Sequence, residues 1–154
     1  MEKKYRIIFH IDLNAFFASC EIAEDPTLKD IPLGIGGSSD RGVLTTANYV
    51  ARKFNVTSGM SVIEAKRLCP QLVLLPVDFD LYNKYSQFFF ELLNEYCDVI
   101  EKGSIDEGYL DMTEFCDGRH PLDIAEEIQY RLLSEYDFSL NIINQETGLY
   151  LNKN

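Results

Sequence analysis

"EKGSIDEGYLDM", residues 101–112, sets Asp106 and Glu107 side by side between two stretches suited to β-strands. An acidic pair in such a place is ordinarily a solvated turn. It becomes a metal site when a third carboxylate reaches it from elsewhere in the chain, because hard cations take oxygen ligands. The two readings ask different things of the fold. The turn needs only a hairpin, whereas the metal site needs a neighbouring strand that ends in an acid.

Residues 5–12, YRIIFHID, supply such a strand: apolar, rich in β-branched residues and ending at Asp12. Beside the hairpin it would bring Asp12, Asp106 and Glu107 together. Asn14 is placed to cap a following helix, with Leu13, Phe16, Phe17 and Cys20 at helical spacing and a stop before Pro26. A second helix spans 79–97, where Leu81, Tyr82, Tyr85, Phe88, Phe89, Leu92, Leu93 and Tyr96 form an apolar stripe. A third spans 121–136, with Pro121 in its first turn and Ala125, Ile128, Leu132 and Tyr136 on one face.

Between these lie smaller elements. IPLGIGG (31–37) and GVLTT (42–46) read as paired strands, ANYVARKF as a short helix and LVLLP (72–76) as a strand. SVIEAKRLC (61–69) opens with a Ser61–Glu64 capping box and ends at Pro70. The fold class is therefore α+β. Segments 5–24 and 78–143 form an antiparallel sheet with helices on one face, and 25–77 is a small α/β insertion.

A chain of 154 residues, 46% hydrophobic, is long enough for one domain or two small lobes. No apolar run approaches the roughly 18 residues that cross a bilayer, and the N-terminus lacks a signal peptide, so a soluble cytoplasmic protein with no membrane partner is expected. Cys20, Cys69, Cys97 and Cys116 form no C-x-x-C pair, which argues against zinc and for reduced thiols. The net charge of −11 opposes nucleic-acid binding by itself. It is unevenly spread, however. Residues 41–67 hold five basic groups and one acid, while 78–117 hold eleven acids and two basic groups. A basic segment beside an acidic one suits an anion and a cation held together, although such runs are also ordinary solvated faces.

TANYVARKF (46–54) offers the hydroxyls of Thr46 and Tyr49 and the guanidinium of Arg52, with Tyr49 and Arg52 on one helical face. These groups bind phosphate oxygens well. GIGG lacks the Gly-Lys-Ser/Thr ending of a P-loop, which excludes a Walker-type NTPase.

HIDLNAFFASCE (10–21), RGVLTTANYVARKFNVTSGM (41–60), EAKRLCPQL (64–72) and SIDEGYLD (104–111) occur in that order. Together they resemble the N-terminal part of the Y-family, lesion-bypass DNA polymerases, nearest the DNA polymerase IV group, over about residues 5–142. The resemblance implies a palm from residues 1–13 and 78–143, fingers from 14–77 and a non-matching tail at 144–154. It implies two Mg²⁺ ions, with Mn²⁺ as a substitute, held by Asp12, Asp106, Glu107 and the Leu13 carbonyl. Phe17 becomes the steric gate against ribonucleotides, and Thr46, Tyr49 and Arg52 contact the triphosphate. The partners implied are dNTP and primer-template DNA, and the reaction is attack of the primer 3′-oxygen on the α-phosphate. Asn14 stands where many members have Asp.

After FSLNII the family pattern continues through a glycine-containing strand and a lysine-bearing helix, whereas this chain reads NQETGLYLNKN. The rest of the palm, the thumb and the little finger have no counterpart in the sequence. Weak or absent synthesis is expected, with self-association through an exposed palm edge and a tail that frays. A catalytically silent module that binds Mg²⁺-nucleotide or a protein partner is the competing reading. A cyclase-like palm would also use carboxylates on neighbouring strands, but the lobe with TANYVAR speaks against it.

Overall fold

The computed structural model describes residues 6–37 and 41–151. Tyr5, where the first strand is predicted to begin, and the last three residues of the predicted tail lie outside them. The strands are β1 (Ile8–Leu13), β2 (Leu33–Ile35), β3 (Thr46–Ala47), β4 (Val73–Leu75), β5 (Ile100–Ser104), β6 (Glu107–Asp111), β7 (Leu140–Asn144) and β8 (Leu149–Tyr150). The helices are α1 (Phe16–Glu24), α2 (Tyr49–Arg52), α3 (Val62–Leu68), α4 (Phe79–Asn94) and α5 (Pro121–Tyr136). The chain divides into two compact units, residues 1–14 with 83–154, and residues 15–82.

The first unit is built on a sheet of order β5-β6-β1-β7-β8, antiparallel throughout. Along β1 burial alternates. Phe9, Ile11 and Leu13 are buried, while Ile8, His10 and Asp12 stay partly exposed. This is the pattern of a sheet covered on one face, and each of the three buried side chains contributes about 1.5–3 kcal/mol by leaving water. Helix α4 lies on the covered face: a Cβ added to Gly108 would come within 2.9 Å of the Phe90 ring. Helix α5 buries Ile124, Ala125, Ile128 and Leu132, and its Tyr136 meets Tyr85 of α4 edge-on. The opposite face carries His10, Asp12, Glu107 and Tyr109 in register.

The second unit holds a three-stranded sheet of order β3-β2-β4, with β4 parallel to β2 and β3 antiparallel to it. Leu44, Ala47, Ala51, Val56, Val62, Ala65, Cys69 and Leu72 form its core. Asn48 ties the lobe together. Its side-chain oxygen accepts from Leu33 N and Ala51 N, and its amide donates to the Ile31 carbonyl. One buried side chain thus caps α2 and anchors β2.

Several expectations are corrected. Asn14 does not cap α1; the place goes to Ala15, left-handed at φ 46° and with no side-chain cap. Asn14 instead accepts from Asn141 and donates to Ser139, across to β7 and the residue before it. The stretch 42–44 does not pair with β2. Leu44 and Val62 bond to Met60 and Gly42 carbonyls instead, and the strand beside β2 begins at Thr46. Helix α2 is shorter than ANYVARKF. Ser61 does cap α3 by accepting from Glu64 N, but the Glu64 carboxylate turns to Arg67 rather than back to the cap.

The tail is corrected as well. Glu146 N bonds to the Asn144 side chain, Gly148 N to the Asn144 carbonyl, and Gly148 takes φ +72°. This turn returns the chain as β8, which pairs with Ile143 and Asn144. Among the described residues the sheet still ends in an open edge, now at β8, with β7 paired to it at Ile143 and Asn144. No helix among the described residues is long and apolar enough to cross a membrane.

Glu21 of α1 accepts a hydrogen bond from the Tyr82 hydroxyl at 3.0 Å. Burial first, then the neighbouring Asp78 and Glu24, push its pKa up against the opposing effect of that bond. The folded state therefore takes up this proton more readily than the unfolded chain. Stability contributed by the group is fully present below its unfolded pKa and is lost as pH rises through the folded one. Glu21→Gln is expected to raise the melting temperature at neutral pH, with the gain vanishing below about pH 4. A gain that persists unchanged in acid would show that the effect is not ionic.

Candidate metal centre

Asp12 and Glu107 are direct cross-strand partners between β1 and β6. Side chains alternate along a strand, so this register sets both carboxylates on the partly exposed face. Asp106 sits one residue before β6, in the turn, where its carbonyl accepts from Leu13 N at 3.0 Å. One ligand oxygen from each of Asp12, Asp106 and Glu107 lies within 4.8 Å of the others. The three residues expected from spacing and resemblance are thus brought together. Leu13, the fourth, is the last residue of β1.

The neighbouring residues shape these carboxylates. The Ser104 hydroxyl donates to Asp106 at 2.7 Å and accepts from its backbone N–H at 3.4 Å. Gly103 sits at an irregularity in the β5–β6 register, and a Cβ there would come within 2.7 Å of Glu107 Oε1. Its lack of a side chain leaves room for that carboxylate. His10, two residues before Asp12, stacks on Tyr109 with centroids 4.6 Å apart, and its Nε2 lies 3.7 Å from Glu107 Oε1.

Burial raises the Asp12 pKa, Asp106 and Glu107 raise it further, and His10 partly offsets them. Three close carboxylates repel one another, and a hard divalent cation relieves that repulsion. The all-oxygen donor set, half-buried and mutually repelling, fits such an ion. A cavity of about 360 Å³, lined in part by Arg6, Ile8, Tyr109 and Asp111, contains none of the three carboxylates.

The other expected residues lie in the second unit. Thr46 is in β3, paired with Ile35. Tyr49 and Arg52 open and close α2, with the guanidinium 5.1 Å from the centroid of the Tyr49 ring. Arg52 Nε donates to the Ala47 carbonyl at 2.9 Å, and its terminal nitrogens make no hydrogen bond among the described residues. Phe17, in α1, stacks on Tyr82 at 4.3 Å and meets Phe79 edge-on at 5.8 Å. Sequence reasoning passed over His10, Gly103 and Ser104. His10 was findable, because i and i+2 share a face on a strand. The other two needed the register of the hairpin.

Residues 11–142 match the impB/mucB/samB family. A DNA polymerase IV of Halalkalibacterium halodurans is 47% identical over 141 residues, covering 90% of this chain and 34% of that protein. A DNA polymerase IV of Bacillus subtilis is 46% identical over 137 residues, covering 88% and 33%. The chain thus spans about a third of the length of the curated relatives it matches. Among solved structures, a post-insertion binary complex of Dbh DNA polymerase superposes with TM-score 0.83 at 33% identity, covering 89% of this chain and 41% of that one. DinB from Sulfolobus solfataricus superposes with TM-score 0.80 at 33% identity, with the same coverage.

Proposed function

The chain belongs to the impB/mucB/samB family, and from that premise we propose that it is the palm and fingers part of a translesion DNA polymerase. Residues 1–13 with 78–143 form the palm and 14–77 the fingers. The reaction is transfer of a nucleotidyl group from dNTP to a primer 3′-hydroxyl, with pyrophosphate leaving as the α–β phosphoanhydride bond breaks, in the cytoplasm, on primer-template DNA. The observation that carries this reading is the meeting of Asp12 and Glu107, cross-strand partners, with Asp106 from the adjoining turn.

In this reading the three carboxylates, with the Leu13 carbonyl, hold two Mg²⁺ ions, for which Mn²⁺ substitutes. Such ions, when bound, neutralise charge on the reacting phosphate and acidify the attacking hydroxyl. Thr46 and Tyr49 donate hydroxyl hydrogens to the triphosphate. Arg52, with Nε committed to Ala47, offers its terminal nitrogens as a fork to phosphate oxygens. Phe17 acts as the steric gate against ribonucleotides.

The net charge of −11 supplies little grip on a phosphate backbone. The 154-residue chain is therefore expected to bind dNTP in a metal-dependent way while extending a primer weakly. Calorimetric titration with dNTP, in Mg²⁺ or Mn²⁺ and in EDTA, tests this beside a primer-extension assay. Metal-dependent binding supports the reading, and binding with no extension at all favours a nucleotide-binding module. No metal-dependent binding by a folded sample sinks it.

A further inference from the structure

Glu107 is the carboxylate of the three whose side chain is least held. Asp106 is fixed by the Ser104 hydroxyl. Asp12 is on a short stem in a central strand flanked by β6 and β7. Glu107 has a longer, flexible stem and forms no side-chain hydrogen bond among the described residues. On one side Gly103 presents bare backbone to its Oε1. On the other stands His10.

The His10 ring has little freedom. It is flat against Tyr109, its cross-strand partner, at an interplanar angle of 20°. That stacking aims the ring edge along the sheet toward Glu107. Its Nε2 is buried and has no hydrogen-bond partner, 3.7 Å from Glu107 Oε1. A buried polar nitrogen without a partner costs free energy. A shift of about half an ångström by the glutamate would complete the bond.

We propose that His10 is a positioning residue for the metal centre. Its Nε2–H donates to Glu107 and keeps that carboxylate turned toward Asp12 and Asp106, so that the cation meets a preset donor group. A neutral imidazole with its proton on Nε2 suffices for this. The inference rests on the reading of Asp12, Asp106 and Glu107 as a cation site.

The test is Mn²⁺ binding in the presence of dNTP, followed by the electron paramagnetic resonance of free Mn²⁺, for wild type, His10→Leu and His10→Gln. Both variants lose the ring stacked on Tyr109, but only Gln keeps a donor near the place of Nε2. His10→Leu is expected to weaken Mn²⁺ binding about tenfold or more, and His10→Gln to return it to near wild type. Thermal melts of both variants keep folding separate from binding. Equal loss in both variants would assign His10 to packing and overturn the proposal, as would unchanged binding in His10→Leu. If wild type itself fails to bind Mn²⁺, the cation-site reading falls and the proposal with it.

Discussion

Asp106→Asn combined with Glu107→Gln is expected to abolish metal-dependent dNTP binding while leaving the metal-free protein at least as stable as wild type. The two effects have one cause. In the folded chain these carboxylates raise the Asp12 pKa, which means that they repel its charged form. Amides of the same shape remove the repulsion and keep the space filled. They also remove two of the three anionic ligands, for a loss in affinity of roughly 100-fold or more. Calorimetry reads the first effect and a thermal melt in EDTA the second. A melting temperature that falls sharply would show that the pair is structural. Binding that survives would show that the cation sits elsewhere.

Phe17→Ala is expected to raise the affinity for ribonucleotides relative to deoxyribonucleotides by about 10–100-fold. A side chain excludes a hydroxyl by crowding only if it cannot turn away. Phe17 is wedged flat against Tyr82, with interplanar angle 10°, and edge-on to Phe79 at 87°. Tyr82 is itself held by Glu21 through its hydroxyl. Displacing the ring means breaking contacts worth about 0.5–1.5 kcal/mol for each aromatic pair, so the wall is stiff. Titrating dNTP and rNTP in Mn²⁺ against both proteins gives the ratio. An unchanged ratio in a folded variant would show that Phe17 is not the steric gate.

The parts legible in the sequence are those in which one element carries its own pattern. Helix α5 runs Pro121–Tyr136, the predicted span, because Pro121 marks its start and its buried face repeats every turn. The hairpin at 100–111 was legible for the same reason. What failed depended on distant partners. Gly42–Leu44 has strand-like residues, but nothing in them says that the partner is Gly59–Val62 rather than β2. Asn14 has the chemistry of a cap, but Ser139 and Asn141, more than a hundred residues away, compete for its amide. The turn at Asn144–Gly148 carried only a weak local signal, an asparagine and a glycine four residues apart, in a stretch without periodicity. The carboxylates were legible because residue type, strand ending and resemblance agreed. His10 was not, because its role rests on a cross-strand register that only the fold supplies.

That register makes the metal centre a matter of parity. Asp12 faces Glu107 only because both fall on the same phase of two alternating strands. If β1 and β6 mispaired by one residue, Asp12 would turn into the core, and Ile11 would turn out to solvent. The hydrophobic core and the cation site would then fail together. A sheet formed in the wrong phase would bury one carboxylate and leave the other exposed, so the three would not meet.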